Sequence, residues 1–154
     1  MKLGILVQTL GTSQLGTLLT IELNKLLERH PHLDVIVFYE DYDKIPIAPK
    51  FSLMQNYHIQ TFTGPIISTC LQTTQLLKTL DITHKYFYVW NLEWTLADIP
   101  WQLLCGSYQD DDIELIARSS YHAEIIAQLW KNPYAIIEDF DYESINTLAK
   151  KSCS

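Results

Sequence analysis

Short apolar runs alternate with stretches of helical periodicity along most of the chain. Residues 3–7 and 86–90 are uninterrupted apolar runs, which is typical of strands that are covered on both faces of a sheet. Residues 40–56 contain Pro46 and Pro49 with mixed polarity, so this stretch is interpreted as irregular. The pattern predicts strands at residues 3–7, 34–39, 58–62, 86–90, 113–117 and 134–137.

Helix signals fill the gaps between these strands. Leucines at helical spacing follow a loop that contains Gly11 and Gly16, and His30-Pro31 ends that helix. Gly64-Pro65 is interpreted as the start of a helix that runs to about residue 80. Three further helices are predicted from their capping residues, namely Asp98 for a helix to about Tyr108, Ser119 or Ser120 for one that ends at Asn132-Pro133, and Asp141 for one to about Lys150.

Strands that alternate with helices favour right-handed βαβ units and therefore an α/β fold. We expect a Rossmann-like three-layer sandwich with a mostly parallel sheet of about six strands. The 154 residues suit one domain, residues 1–154, with a core that needs no disulfide or metal. Two strand orders stay open, the order 3-2-1-4-5-6 and a flavodoxin-like order.

Composition and charge narrow the range of partners. The chain has 11 Lys+Arg and 18 Asp+Glu, for a net charge of −7, and the excess of acid lies in residues 81–154. Direct nucleic-acid binding is therefore not expected, since it depends on cations that face phosphates. No apolar run is long enough to span a membrane. Three widely spaced cysteines suit a reducing compartment, so we expect a cytoplasmic protein.

Open parallel sheets bind ligands at the carboxyl ends of their strands. Three loops of this chain are therefore candidate binding loops, and they follow the predicted strands at residues 3–7, 86–90 and 113–117. The loop after the first strand has Gly11 and Gly16 at Walker spacing, but Thr17 stands where the phosphate-binding lysine is needed. It is either a turn in which glycine provides a positive φ and threonine or serine caps the helix, or a turn that holds an anion or a sugar. The ligand-binding candidates of the three loops are Gly11, Thr12, Ser13, Asn91, Trp94, Arg118 and Ser119.

The loop after the aromatic strand carries the catalytic candidates, Glu93 and Asp98, among Trp90, Trp94 and Trp101. A carboxylate beside apolar rings has a raised pKa and can act as a general base near neutral pH. Aromatic faces can also stack against a sugar or a base. The alternative is that the tryptophans belong to the core and that Glu93 is solvated.

Other kinds of chemistry find little support. The five histidines and three cysteines show no zinc-ligand spacing, so we expect no metal and no cofactor. The acidic run at residues 110–112 is interpreted as a solvated turn before a strand. A dinucleotide fingerprint and a nucleophile elbow are both missing from the sequence.

Four segments carry a loose resemblance to a known family: residues 1–7 with the glycine-containing loop, 85–91, 114–120 and 136–141. The chain resembles the N-terminal half of a GT-B glycosyltransferase, nearest to the DNA glucosyltransferases of T-even phages. Residues 85–91 resemble the strand that leads to the catalytic aspartate of that family. Leu92 stands at the position of the aspartate, and Glu93 comes one residue later.

This resemblance implies a glycosyltransferase-like domain that keeps the acceptor-side half of the fold. Sugar transfer from a nucleotide-sugar in such enzymes takes place between two halves, so the donor side would come from a second protein chain. The domain alone is expected to be inactive. A homo-oligomer is a further possibility. The alternative function is a non-catalytic protein-interaction module on a Rossmann scaffold, favoured by the 12% aromatic content and the acidic second half.

Overall fold

A seven-stranded sheet forms the centre of the protein in the computed structural model, which describes residues 2–96 and 98–152. The strands are β1 (Lys2–Leu10), β2 (Asp34–Tyr42), β3 (Ser52–Gln55), β4 (Ile66–Ser68), β5 (Lys85–Val89), β6 (Ile113–Ala117) and β7 (Ala135–Ile136). The helices are α1 (Gln14–Arg29), α2 (Leu71–Lys78), α3 (Trp101–Tyr108), α4 (Ser120–Leu129) and α5 (Tyr142–Lys151). Short 3₁₀ helices cover Asn56–Thr61, Glu93–Thr95 and Glu138–Phe140.

All neighbouring strands pair in parallel, in the order β3-β2-β1-β4-β5-β6-β7. The predicted α/β class and the Rossmann-like three-layer arrangement are confirmed. Of the two orders left open, the 3-2-1 arrangement is the one found. One strand more than expected is present, because β4 lies between β1 and the aromatic strand β5.

Two segment predictions between residues 50 and 80 are wrong. Residues 58–62 were expected to be the third strand, but they belong to a 3₁₀ helix, and β3 lies earlier, at Ser52–Gln55. The helix expected from Gly64-Pro65 begins only at Leu71, because the chain first forms β4. This strand is three residues long and fully buried, which is too short to produce a periodic signal.

Helices cover both faces of the sheet. On one face, α1 and α5 pack against alternate residues of the strands, for example Ile5, Val7 and Tyr88. On the other face, α2, α3 and α4 pack against the intervening strand residues, for example Phe87 and Val89 of β5. This alternation follows from the two-residue period of a strand, and it explains why the central strands are apolar throughout.

The carboxyl end of the sheet is uneven. Pairing between β1 and β4 ends at Leu6 with Ser68, whereas pairing between β1 and β2 continues to Leu10 with Tyr42. The last residues of β1 and β2 therefore project beyond β4 as a two-stranded ribbon. The strand order reverses between β1 and β4, and we call the region at the carboxyl ends of these two strands the crevice.

Candidate functional site

The crevice between the ends of β1 and β4 is the position at which open parallel sheets bind ligands. At the end of β1, Gln8 and Thr9 are exposed. After β4, the buried Thr69 hydroxyl donates to the carbonyl oxygen of Leu6 at 3.1 Å and ties the two strands together. Cys70, which is partly buried, is the N-cap of α2. Polar residues therefore follow both strands that border the crevice.

The loop after β1 is held by close backbone packing. A Cβ atom on Gly16 would lie 2.5 Å from the carbonyl oxygen of Gly11, so only glycine fits at this position in the first turn of α1. Ser13 is the N-cap of α1, and its Oγ accepts from the Gly16 N–H at 3.0 Å. Gly11 itself is buried against Asp43, whereas Thr12 and Ser13 are exposed. Neither glycine has a positive φ, so the expectation of a positive φ in this turn is wrong, and the Gly11–Gly16 spacing is explained by packing.

Glu93 reaches from the loop after β5 to the start of α2. The Leu71 N–H donates to its two carboxylate oxygens, at 3.1 and 3.4 Å. The residue is 9% exposed, and burial raises the pKa of Glu93 to about 7, although the Leu71 N–H opposes this shift. A carboxylate with this pKa can take up a proton near neutral pH. It also caps an otherwise unsatisfied amide at the N-terminus of α2.

The other candidates of this loop lie in different environments. Asn91 is exposed directly after the sheet, next to the crevice. Trp94 packs edge-on against Tyr108 and Trp130, with ring centroids 4.9 and 5.8 Å apart, so it belongs to the core beneath α3 and α4. Asp98 is exposed with a φ of 69°. It was predicted to cap α3, but the N-cap of that helix is Pro100, and this prediction is wrong.

Arg118 and Ser119 follow β6 and form a second polar cluster at the same end of the sheet. The Arg118 guanidinium lies 3.7 Å from the centroid of the Trp90 ring, and its Nε donates to Asp139 Oδ1 at 2.8 Å. Ser119 is the N-cap of α4, as predicted, and its Oγ accepts from the His122 N–H at 3.2 Å. A cavity of about 410 Å³ is lined by Arg118, Ser119, His122, Glu138 and Asp139.

The sequence interpretation missed the acidic side of this cluster. Glu138 and Asp139 come directly after the last predicted strand, so the rule that points to the carboxyl ends of strands would have found them. Asp139 and Phe140 both have left-handed backbones, with φ of 44° and 62°. Such conformations are costly without glycine and need support from their surroundings.

Tyr88 on β5 supplies that support from inside the sheet. Its hydroxyl donates to the carbonyl oxygen of Ile137 at 2.6 Å and accepts from the Phe140 N–H at 3.4 Å. Its ring stacks on Phe140 with centroids 4.1 Å apart. Burial raises the pKa of Tyr88 far above its usual range, so the hydroxyl stays protonated and remains a donor. The position of Asp139 beside Arg118 is therefore fixed by a buried network.

The acidic run at residues 110–112 behaves as a turn. Asp110 Oδ1 accepts from the Asp112 N–H at 3.0 Å, and Asp110 Oδ2 forms an ion pair with Lys78 at 3.0 Å. Within residues 2–96 and 98–152, no group of three or more histidine, cysteine, aspartate or glutamate side chains is arranged to hold a metal ion.

No protein-family model, curated protein or solved structure matches this chain. Of the helices described above, none combines the length and the apolar character that crossing a membrane requires. The features that bear on function are therefore the geometry of the crevice and the cluster around Arg118.

Replacing Ser119 with alanine is expected to lower the free energy of unfolding by about 1 kcal/mol, since the His122 N–H loses its side-chain acceptor. Urea unfolding at neutral pH measures the change. Ser120→Ala is the matched control, because this exposed neighbour lies inside the helix and should change stability by less than about 0.5 kcal/mol. Equal effects of the two substitutions would contradict the assignment of Ser119 as the cap.

Proposed function

We propose that this domain is the acceptor-side half of a GT-B-like glycosyltransferase and binds a hydroxyl-bearing acceptor in the crevice beside β1. The donor nucleotide-sugar would be presented by a second chain or domain. The observation that carries the proposal is the position of Glu93. This acid follows β5 at the carboxyl end of the sheet, beside the reversal point, and has a pKa of about 7.

The exposed residues around the crevice suit a neutral, hydroxylated ligand. Gln8, Thr9 and Thr12 at the end of β1, and Asn91 after β5, offer both donors and acceptors without any fixed charge. A phosphate would find no cationic side chain among these four. Sugars and sugar-like alcohols form hydrogen bonds of both kinds, so they match this set better than anions do.

Glu93 would act as the general base of a direct displacement. As the acceptor oxygen attacks the anomeric carbon, its proton passes to the Glu93 carboxylate, and the bond to the nucleoside diphosphate breaks with departure of that anion. The Leu71 N–H would hold one face of the carboxylate in place during the transfer. Because the donor is supplied from outside, the domain alone is expected to bind acceptors without turnover.

Acceptor binding can be tested by NMR on the isotope-labelled chain, with methyl glycosides as probes at about 10 mM. We expect shifts of the backbone amides of residues 8–12 and 91–93, and a smaller response to a nucleotide-sugar. Glu93→Gln should retain this binding, since the amide keeps an oxygen that accepts from the Leu71 N–H. Unchanged crevice amides with every glycoside would overturn the proposal.

A non-catalytic interaction module is the second candidate. It is favoured by the structural roles of several site candidates, because Ser13 and Ser119 cap helices and Trp94 packs in the core. In that case the glycosides would leave the crevice amides unchanged, and the chain would be recovered with a protein partner. For either function we propose the reducing cytoplasm as the location, consistent with the free thiols of Cys70 and Cys105.

A further inference from the structure

The sheet ends at β7, and no strand among the described residues pairs with its outer side. The N–H groups of Tyr134 and Ile137 donate to the carbonyl oxygens of Leu115 and Ala117, so β7 and the residues next to it are held by β6 on the inner side. An edge of this kind can accept an additional strand through backbone hydrogen bonds. We call residues 134–137 the β7 edge.

Apolar side chains and grooves lie along the β7 edge. Tyr134 and Ile136 are each 46% exposed, although Ile136 belongs to β7 and Tyr134 directly precedes it. A groove of about 410 Å³ separates the edge from α5, and a second of about 720 Å³ continues toward α1. Ile136 lines both, so the two grooves form neighbouring parts of one surface that has room for several side chains.

The charge of this surface selects the occupant. Among the described residues, ion pairs join Glu22 to Lys25 and Asp139 to Arg118. Three more carboxylates line the grooves and belong to none of these ion pairs, namely Glu138, Asp141 and Glu143. Apart from the paired Lys25, the cation that lines the grooves is Lys151. A second copy of this chain is a poor occupant, because each copy has a net charge of −7. A basic segment complements the surface.

We propose that the β7 edge is a docking surface for a short, extended segment of a partner protein that carries apolar and basic side chains on the same face. The apolar side chains would lie on Ile136 and Tyr134, and the basic ones, two residues further along the segment, would reach the carboxylates of α5 and of the preceding turn. This inference does not depend on the proposed function, because the β7 edge is three strands away from the crevice.

The probes are two synthetic eight-residue peptides, one that repeats Val-Thr-Lys-Thr and one that repeats Val-Thr-Glu-Thr, so that valine and the charged residue lie on the same face of an extended strand. We expect the lysine peptide to bind with a Kd below about 1 mM and to shift the backbone amides of residues 134–144. The glutamate peptide should not bind. Equal binding of both peptides, no binding of either, or shifts centred on β3 would overturn the proposal. A dimer of the free chain that buries the β7 edge would also overturn it, in favour of a second copy.

Matched variants separate the contributions of shape and charge. Ile136→Ser should weaken the lysine peptide about tenfold, whereas Met54→Ser on the opposite edge strand β3 should leave its affinity unchanged. Both side chains are exposed, so neither change is expected to prevent folding. Glu143→Gln should weaken binding, and Glu124→Gln, on an exposed position of α4, should not. Equal effects within either pair would place the peptide elsewhere.

Discussion

Replacing Gly16 with alanine is expected to lower the free energy of unfolding by about 2 to 3 kcal/mol. Two effects oppose each other at this position. Alanine stabilises a helix interior by about 1 kcal/mol relative to glycine. However, its Cβ would lie 2.5 Å from the carbonyl oxygen and 3.1 Å from the amide nitrogen of Gly11, which are backbone atoms that cannot move aside. The clash is the larger effect, because relieving it shifts the whole start of α1.

Gly106→Ala is the matched control in a second helix. The atoms nearest to its added Cβ are Lys78 Nζ at 3.5 Å and Gln75 Nε2 at 3.9 Å, both at the ends of flexible side chains. Only the helix preference remains, so we expect a gain of up to about 1 kcal/mol. Urea unfolding of both variants beside the parent chain gives the two signs. A Gly16→Ala variant as stable as its parent would contradict the close approach of α1 to the loop after β1.

The Gly16 position also shows what a sequence can and cannot reveal about this fold. The glycine spacing was visible, and two interpretations were open, a turn that holds an anion or a sugar and a turn that needs glycine for a positive φ. The contact that explains Gly16 is its close approach to the backbone of Gly11, and no propensity or periodicity reports a distance of that kind. By contrast, the aspartate cap at Asp141 and a serine cap at Ser119 or Ser120 are local features that were predicted, and the caps are found at Asp141 and Ser119.

The strands show the same division. The long apolar runs predicted β1 and β5, because burial on both faces leaves a strong signal in five or more residues. The short strand β4 was hidden behind Gly64-Pro65, which has the signature of a helix start. It becomes a strand because β1 and β5 pair with it on its two sides. Tertiary pairing of this kind overrides a local signal in a three-residue segment.

The sequence led to several residues of the candidate site but not to their hydrogen-bond partners. The rule for parallel sheets led to Glu93, Asn91 and Arg118, all at the carboxyl ends of strands. The partner of Glu93 is the Leu71 N–H, 22 residues earlier in the chain, and the partner of Arg118 is Asp139, 21 residues later. Both contacts depend on the order of the strands in the sheet, which the sequence left open between two arrangements.

The buried acid leads to the second large effect, a pH dependence of stability that Glu93→Gln should remove. Burial raises the pKa of Glu93 to about 7 in the folded chain, from an ordinary value of 4.5. Between these values the folded chain holds a proton that the unfolded chain has released. The contribution of Glu93 to stability is therefore fully present below about pH 4.5 and is lost as the pH rises through about 7. The expected loss is about 3 kcal/mol across this window.

The measurement is the difference in unfolding free energy between parent and Glu93→Gln at a series of pH values from about 4.5 to about 8. Taking the difference cancels His122, whose pKa is lowered mainly by burial and which changes stability in the opposite direction over the same range. Glu93→Ala separates the charge from the hydrogen bond, because it leaves the Leu71 N–H without an acceptor and should cost about 1 to 3 kcal/mol relative to Glu93→Gln at every pH. A parent and a glutamine variant with parallel pH profiles would show that Glu93 titrates at its ordinary pKa, and that acid would then be ionised throughout the neutral range and too weakly basic for the proton transfer proposed above.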